Sequence, residues 1–420
     1  MSSHYLNSTA AATPKKSYFG WVIVTICTLL MAITYGLMYS YGVFFKPLAD
    51  HFDWDRATVS SVYSVSLIMR GAISIGIGWL ADRYGAVKLM VFCGFMIGMG
   101  LVLSSQVHAL WQFFLTYALI EATGLSGTFS IATAVTSRWF IQNRGLALGI
   151  VSSGTGLGTL FIVPGAERLI NNMDWSQAFI ICGIAAGVIT IVASLFLGRP
   201  PQSVSSTPRL LATTVAAPAS QSTSPRDLTL VEAVHNPRMI IMITVFMFVF
   251  FCTQIVIVHL YNFATDIGIN PMVAASFVSI IGIISIGGRL SMGIGADRIG
   301  IYNTLIFCCA LLSVSLVCLI FTRELWAFYL FAVLFGFAYG GEVPQIPLLV
   351  SKFSGTKSMA TLVGLTLFIG NIGGALGPWV AGKIFDLTSD YQWAFIIGAL
   401  AGLCAVTMAL ILKRQNRETS

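Results

Sequence analysis

Gly78-Trp79-Leu80-Ala81-Asp82-Arg83-Tyr84-Gly85 returns 215 residues later as Gly293-Ile294-Gly295-Ala296-Asp297-Arg298-Ile299-Gly300. Both octets keep Gly-x-x-Ala-Asp-Arg-x-Gly, and each closes an apolar run long enough to cross a bilayer. A single octet would pass for an ordinary loop. Two of them, at the same place in two successive units, describe an internal repeat. The glycines suit a tight turn between helices, while Asp82, Arg83, Asp297 and Arg298 can pair with helix ends and neighbouring charges.

Working outward from the octets with a spanning length of ~20 residues gives twelve candidate helices. They lie near 19–45, 57–80, 86–106, 109–136, 145–168, 177–198, 239–260, 271–295, 302–321, 325–350, 358–382 and 392–412. Between the sixth and the seventh, the Ser/Thr/Pro/Ala bias of 199–238 cannot build a core and reads as a linker. The expectation is an all-α membrane protein of two pseudo-symmetric six-helix bundles. The N-terminal tail is 1–18, the first bundle 19–198, the linker 199–238, the second bundle 239–412 and the C-terminal tail 413–420. Composition agrees: 56% of residues are hydrophobic and 9% charged, against roughly 25% charged in a soluble domain. Mean hydropathy is +0.85.

Lys and Arg set the expected orientation. With both termini cytoplasmic, sixteen of the 23 fall on the inner side and five on the outer, and Arg70 and Arg289 lie within spans. The net charge of +7 is then a topological signal spread over short loops, with no basic patch for nucleic acid. The eight cysteines all sit in apolar runs without metal-ligand spacing and read as packing residues. The first apolar run is too long for a signal peptide and lacks a cleavage site, so the first span is expected to be retained, and the short tails and compact loops suit a multi-pass protein of the cytoplasmic (plasma) membrane. The Asn7-Ser8-Thr9 sequon falls on the inner side, where it would not be modified.

Chemistry should sit with the ionisable residues inside the spans: Arg70, Glu121, Arg289, Glu342 and, nearer the outer surface, His259. A charge at that depth costs at least ~2.5 kcal/mol, so its presence implies a use. At 1.5 Å per residue, Arg289 lies ~12 Å and Arg70 ~18 Å from the cytoplasmic ends of their spans, with Glu342 at ~15 Å and Glu121 at ~25 Å. Arg289 offers a fork that matches a carboxylate and stays charged; the alternative is a structural ion pair with Glu342. Arg70 is open to three readings, as a second anion contact, a gate residue, or a partner of Glu121. Glu342 and Glu121 are candidate proton carriers whose protonation can follow anion binding, or else they only neutralise the arginines. His259 titrates near neutrality but also suits a polar helix cap. The glycines of spans 5 and 11, among them Gly149 and Gly373, form small-residue stripes for close packing or for sliding.

Further stretches carry a family resemblance. They are Arg138-Trp139-Phe140 with Arg144-Gly145-Leu146-Ala147 after span 4, Val258-His259-Leu260 leading to Thr265-Asp266-Ile267-Gly268 after span 7, Gly287-Gly288-Arg289-Leu290-Ser291-Met292-Gly293 in span 8, and Gly373-Gly374-Ala375-Leu376-Gly377-Pro378 in span 11. With the paired octets, they make the chain resemble the major facilitator superfamily over essentially its whole length, and more narrowly its monocarboxylate transporter and oxalate/formate antiporter branch. The resemblance implies alternating access, with two bundles rocking about a site near the midplane. It also implies that Arg289 binds substrate, and that spans 1, 4, 7 and 10 line the pathway. Tyr35, Tyr39, Phe129, Asn262, Phe335 and Tyr339 would then surround a small, partly apolar solute.

Two departures weaken the usual coupling. Monocarboxylate transporters of the animal type carry an aspartate four residues before the substrate arginine and a lysine in the first span, where this chain has Ser285 and Tyr39. Oxalate/formate antiporters carry a lysine inside span 11, whereas Lys357 and Lys383 lie at that helix's ends. The expected function is secondary transport of a lactate- or pyruvate-type monocarboxylate by proton symport. Alternatives are an anion exchanger of the oxalate/formate type, a substrate sensor without flux, which the lack of an added signalling domain disfavours, and multidrug efflux, which would favour acidic residues over two arginines. No enzyme reading survives, since there is no phosphate loop, nucleophile elbow or metal spacing. Expected partners are a small carboxylate anion, a proton and the lipid bilayer, with no cofactor, no metal and no nucleic acid, and the chain acting as a monomer.

Overall fold

Twelve membrane-length helices follow one another in the computed structural model, which describes residues 14–54, 56–198 and 229–417. No strand occurs among these residues. The helices outrun their apolar stretches: span 1 covers Pro14–Phe52, span 2 Arg56–Tyr84, span 7 Pro237–Asp266, span 8 Pro271–Arg298, span 11 Met359–Thr388 and span 12 Gln392–Arg417. A helix of 29 residues is ~43 Å long. That matches a bilayer with its headgroups, so the polar ends stay helical beyond the hydrocarbon core.

Residues 199–228 of the expected linker lie outside the described residues. Of the remainder, 230–235 and 237–238 are helical. Thr229 and Glu232 cap each other's backbone N–H at the start of Leu230–His235. The Asn236 side chain then accepts from the Arg238 N–H, and Pro237 opens span 7 two residues before the expected boundary. The last helix likewise continues through most of 413–420, to Arg417.

The octets behave alike. Gly85 (φ 103°) and Gly300 (φ 89°) each make the one-residue turn into the next span, Ala86–Ser104 and Ile301–Phe321, with a backbone that only glycine adopts freely. Two other spans are irregular. Span 4 (Leu110–Trp139) contains a π-helical segment, Phe114–Glu121, and a break at Gly127. Span 10 (Leu325–Ser354) breaks at Val343–Pro344, directly after Glu342. The fourth helix of each six-helix set is thus discontinuous, with a glutamate at the irregularity.

Within the first six helices, span 1 packs on span 5 (Arg144–Asn172) and span 3 on span 6 (Trp175–Leu195); in the last six, span 7 packs on 11, 8 on 10 and 9 on 12. Spans 2 and 11, and spans 5 and 8, join the two sets. Large apolar side chains such as Phe161, Phe321 and Trp379 point outward, as a lipid-facing surface requires.

Candidate functional site

The two sets of helices are latched at the end that carries the octets. Asp82 caps the start of span 11: its carboxylate accepts from the Thr361 N–H (2.9 Å), the Thr361 hydroxyl (2.8 Å) and the Ala360 N–H (3.4 Å). Asp297 does the same for span 5, accepting from the N–H of Gly145 (2.8 Å) and of Leu146 (2.9 Å). Four free N–H groups at a helix start favour a negative charge there. The first glycine of each octet allows the approach, because a Cβ on Gly78 would meet the Ala360 carbonyl and one on Gly293 the Gly145 carbonyl.

Arg138 strengthens only the first latch. It binds Asp82 at 2.8 Å and donates to the carbonyls of Thr356 and Lys357 across the boundary. Arg144 donates to the Phe140 carbonyl and to the Ser351 hydroxyl. Arg83 and Arg298 are exposed, the former against Trp79.

Beyond the latches the close contact continues to mid-depth. Ser74 donates to the Gly364 carbonyl at 3.1 Å, Gly71 lies against Phe368, and Gly149 lies against the backbone of Arg289. Here a cavity of about 160 Å³ opens between the two sets of helices. It is well below the ~300 Å³ at which pockets for drug-sized ligands begin. Spans 1, 2, 4, 5, 7, 8, 10 and 11 line it, and none of 3, 6, 9 and 12 does.

Both buried arginines face this cavity. Arg289 is 3% exposed; it donates to the Ser285 hydroxyl one turn earlier, and its guanidinium lies 5.5 Å from the centre of the Tyr339 ring. Its Nε has no hydrogen-bond partner, and it has no acidic partner: among the described residues the ion pairs are Arg70–Glu121 and Arg138–Asp82. Arg70, 7% exposed, repeats the serine contact through Ser66 at 3.1 Å and meets Glu121 at 3.4 Å.

Of the other expected lining residues, Tyr35, Tyr39, Phe129 and Tyr339 are in the cavity wall. Phe335 is not: it lies behind Tyr339, stacked on it and on Phe331. Asn262 is exposed near the end of span 7, outside the cavity. His259 also lies outside the wall, with its ring nitrogens 3.3 Å from the Tyr391 hydroxyl and 3.0 Å from the Pro378 carbonyl. Glu342 makes no ion pair with Arg289. It is buried at 2% exposure, and among the described residues neither carboxyl oxygen has a hydrogen-bond partner. Glu121 is fully buried behind Arg70 and does not reach the wall.

The structure adds polar residues that the sequence reading passed over: Thr34, Ser74, Ser126, Thr155, Thr253, Gln254 and Asn371. Their signal was there, as polar side chains in the middle of apolar spans. The cavity therefore offers two cations and several hydroxyl and amide groups in an otherwise apolar wall, a combination suited to a small organic anion. Among the described residues no cluster of His, Cys, Asp or Glu could hold a metal ion.

The model of the Major Facilitator Superfamily matches residues 25–378. Monocarboxylate transporter 12 of Xenopus laevis is 26% identical over 425 residues, covering 95% of this chain and 90% of the relative. Monocarboxylate transporter 13 of Rattus norvegicus is 26% identical over 388 residues, covering 91% and 86%. Among solved structures, FucP, a Major Facilitator Superfamily transporter in the outward conformation, superposes with a TM-score of 0.73 at 12% identity, covering 93% of this chain and 98% of that one. The human organic anion transporter MFSD10 does so at 0.71 and 15% identity, covering 94% and 100%. At these identities the structural likeness speaks for the fold alone.

Proposed function

We propose, from the premise that this chain belongs to the Major Facilitator Superfamily and is related to monocarboxylate transporters, that it carries a small monocarboxylate of the lactate or pyruvate type together with a proton. The observation that supports this most is Arg289, a buried guanidinium in the central cavity with no acidic partner. Removing such a charge from water costs several kcal/mol unless something compensates it. An incoming carboxylate does so with two parallel hydrogen bonds. Tyr339 lies against the guanidinium, and the small volume of the cavity favours a small anion.

Transport proceeds by alternating access, with the first and last six helices rocking as two bundles about the cavity. The distribution of Lys and Arg supports placing the latched end at the cytoplasmic face of the plasma membrane, with both termini inside. In this conformation the cavity is then shut toward the cytoplasm.

A second reading, exchange of organic anions, is favoured by Arg70, a second cation in the same cavity. Uptake of radiolabelled L-lactate into proteoliposomes, with and without an inward proton gradient, separates the two. Gradient-driven uptake that disappears in Arg289→Ala supports symport. Uptake that ignores the gradient and needs internal anion supports exchange. No lactate signal, or an unaffected variant, overturns the carboxylate role of Arg289.

A further inference from the structure

We propose that Arg70 and Glu121 are the proton-coupling element: a carboxylate entering the cavity takes Arg70 from Glu121, and Glu121 then takes up one proton. This rests on the reading above that the cavity binds a carboxylate.

Position comes first. Arg70 is in the cavity wall and Glu121 is not, so the guanidinium stands between the cavity and a carboxylate that is fully buried. The pair is loosely made. Its Nη2–Oε2 distance is 3.4 Å, where a charge-assisted bond runs to ~2.7–2.9 Å. Nε and Nη1 of Arg70 and Oε1 of Glu121 have no hydrogen-bond partner. Both unused nitrogens of Arg70 are buried, so an anion in the cavity reaches them only as the guanidinium turns away from Glu121.

Among the described residues Glu121 pairs with no other cation. Arg70 and Tyr63 face it from span 2, Tyr117 from its own span, and Tyr41 of span 1 packs on the Tyr117 ring. Span 3 meets it through Gly100, where a Cβ would overlap the Glu121 backbone. The charged residue of that span, Lys88, is exposed about three turns away. Cys93 of the same span lies further along, against Gly127. The close contact at Gly100 holds the Glu121 backbone in place, at the end of the π-helical segment, a feature that gathers at functional sites. Deprived of Arg70, an ionised Glu121 would be a lone buried charge, and a proton removes that charge.

The balance is simple. Before binding, Arg70 is paired with the Glu121 carboxylate. Afterwards the substrate carboxylate, held by Arg289 in the same cavity, also engages Arg70, and one O–H bond has formed on Glu121. One anion and one proton enter together, so the summed charge of the site is the same in both states. Release reverses both steps. The other candidates lack this arrangement, since Arg289 has Ser285 in place of an acid and neither Glu342 nor His259 reaches the wall.

The test uses the full chain in proteoliposomes with L-lactate as probe and a trapped pH dye. Wild-type affinity for lactate should weaken ~10-fold per pH unit where one proton is bound with each anion. Glu121→Gln should flatten that slope and still exchange lactate for lactate. Its net uptake should ignore a proton gradient, and the dye should report no lactate-driven proton entry. Should Glu121→Gln fail to fold, the double variant Arg70→Met/Glu121→Leu, which removes both charges, serves in its place and should also show no lactate-driven proton entry. Proton entry that persists in either folded variant overturns the inference alone. A wild type that moves no lactate, or an Arg289→Gln variant as active as wild type, takes down the carboxylate reading and the inference with it.

Discussion

Spans 2 and 8 carry the same pair of side chains one helical turn apart, Ser66 with Arg70 and Ser285 with Arg289, yet only the first arginine meets an acid. The registers differ as well: Arg70 lies twelve residues before Asp82, and Arg289 lies eight before Asp297. Each half also carries a glutamate at the irregularity of its fourth helix. Glu121 turns to Arg70, whereas Glu342 is buried with no partner among the described residues. A repeated framework has thus been given unequal charge balances. The first half neutralises its cation internally, and the second leaves its cation for something that enters the cavity.

The strongest way to break this contrast is to remove the unpaired cation. Arg289→Gln should lower initial rates of lactate uptake at least ~100-fold, in line with the ~3–5 kcal/mol lost when one partner of a buried charge pair is removed. Arg289→Lys should recover only part of the rate, because an ammonium is a point charge without the planar fork.

Next comes stability in the paired half. Glu121→Leu leaves Arg70 buried without its acid and should cost ~3–5 kcal/mol, read as a lowered thermal unfolding midpoint in detergent. Adding Arg70→Met should restore most of the loss. If the single variant is as stable as wild type, the first half is not balanced by this pair.

The latches sharpen the comparison at smaller scale. Gly293→Val overfills the contact with the Gly145 carbonyl and should disfavour the latched state by ~1–3 kcal/mol. A cysteine placed at Ser74 should then react faster with a thiol reagent applied from the octet end; an unchanged rate would show that the latch tolerates the side chain. The smallest effect separates Asp82 from Asp297. Both cap a helix, but only Asp82 binds an arginine, so Asp82→Asn should cost ~1 kcal/mol more than Asp297→Asn in the same melting assay.

Much of the fold was legible because apolar runs of membrane length admit few other structures. The linker end was not: Thr229, Glu232 and Pro237 form local caps that a compositional reading of 199–238 passes over. In the site, Arg70, Arg289, Tyr35, Tyr39 and Tyr339 share one cavity, but Phe335, Asn262, His259 and Glu342 stand outside it. These spans are apolar nearly all round, so hydropathy does not say which side faces a neighbour and which faces the cavity. Superfamily resemblance named spans 1, 4, 7 and 10; Arg70 on span 2 was legible as a charge in an apolar run, whereas Thr155 and Asn371 on spans 5 and 11 were passed over.

The sequence by itself determined the twelve spans, the two copies of the octet and which charges lie inside spans, because spanning length and the cost of desolvating a charge are local properties. Only the tertiary structure decided which arginine is paired and which is open. That depends on helix rotation and on contacts such as Gly100 with Glu121 and Gly149 with Arg289, which join residues far apart in the chain and are set by how closely two backbones can approach.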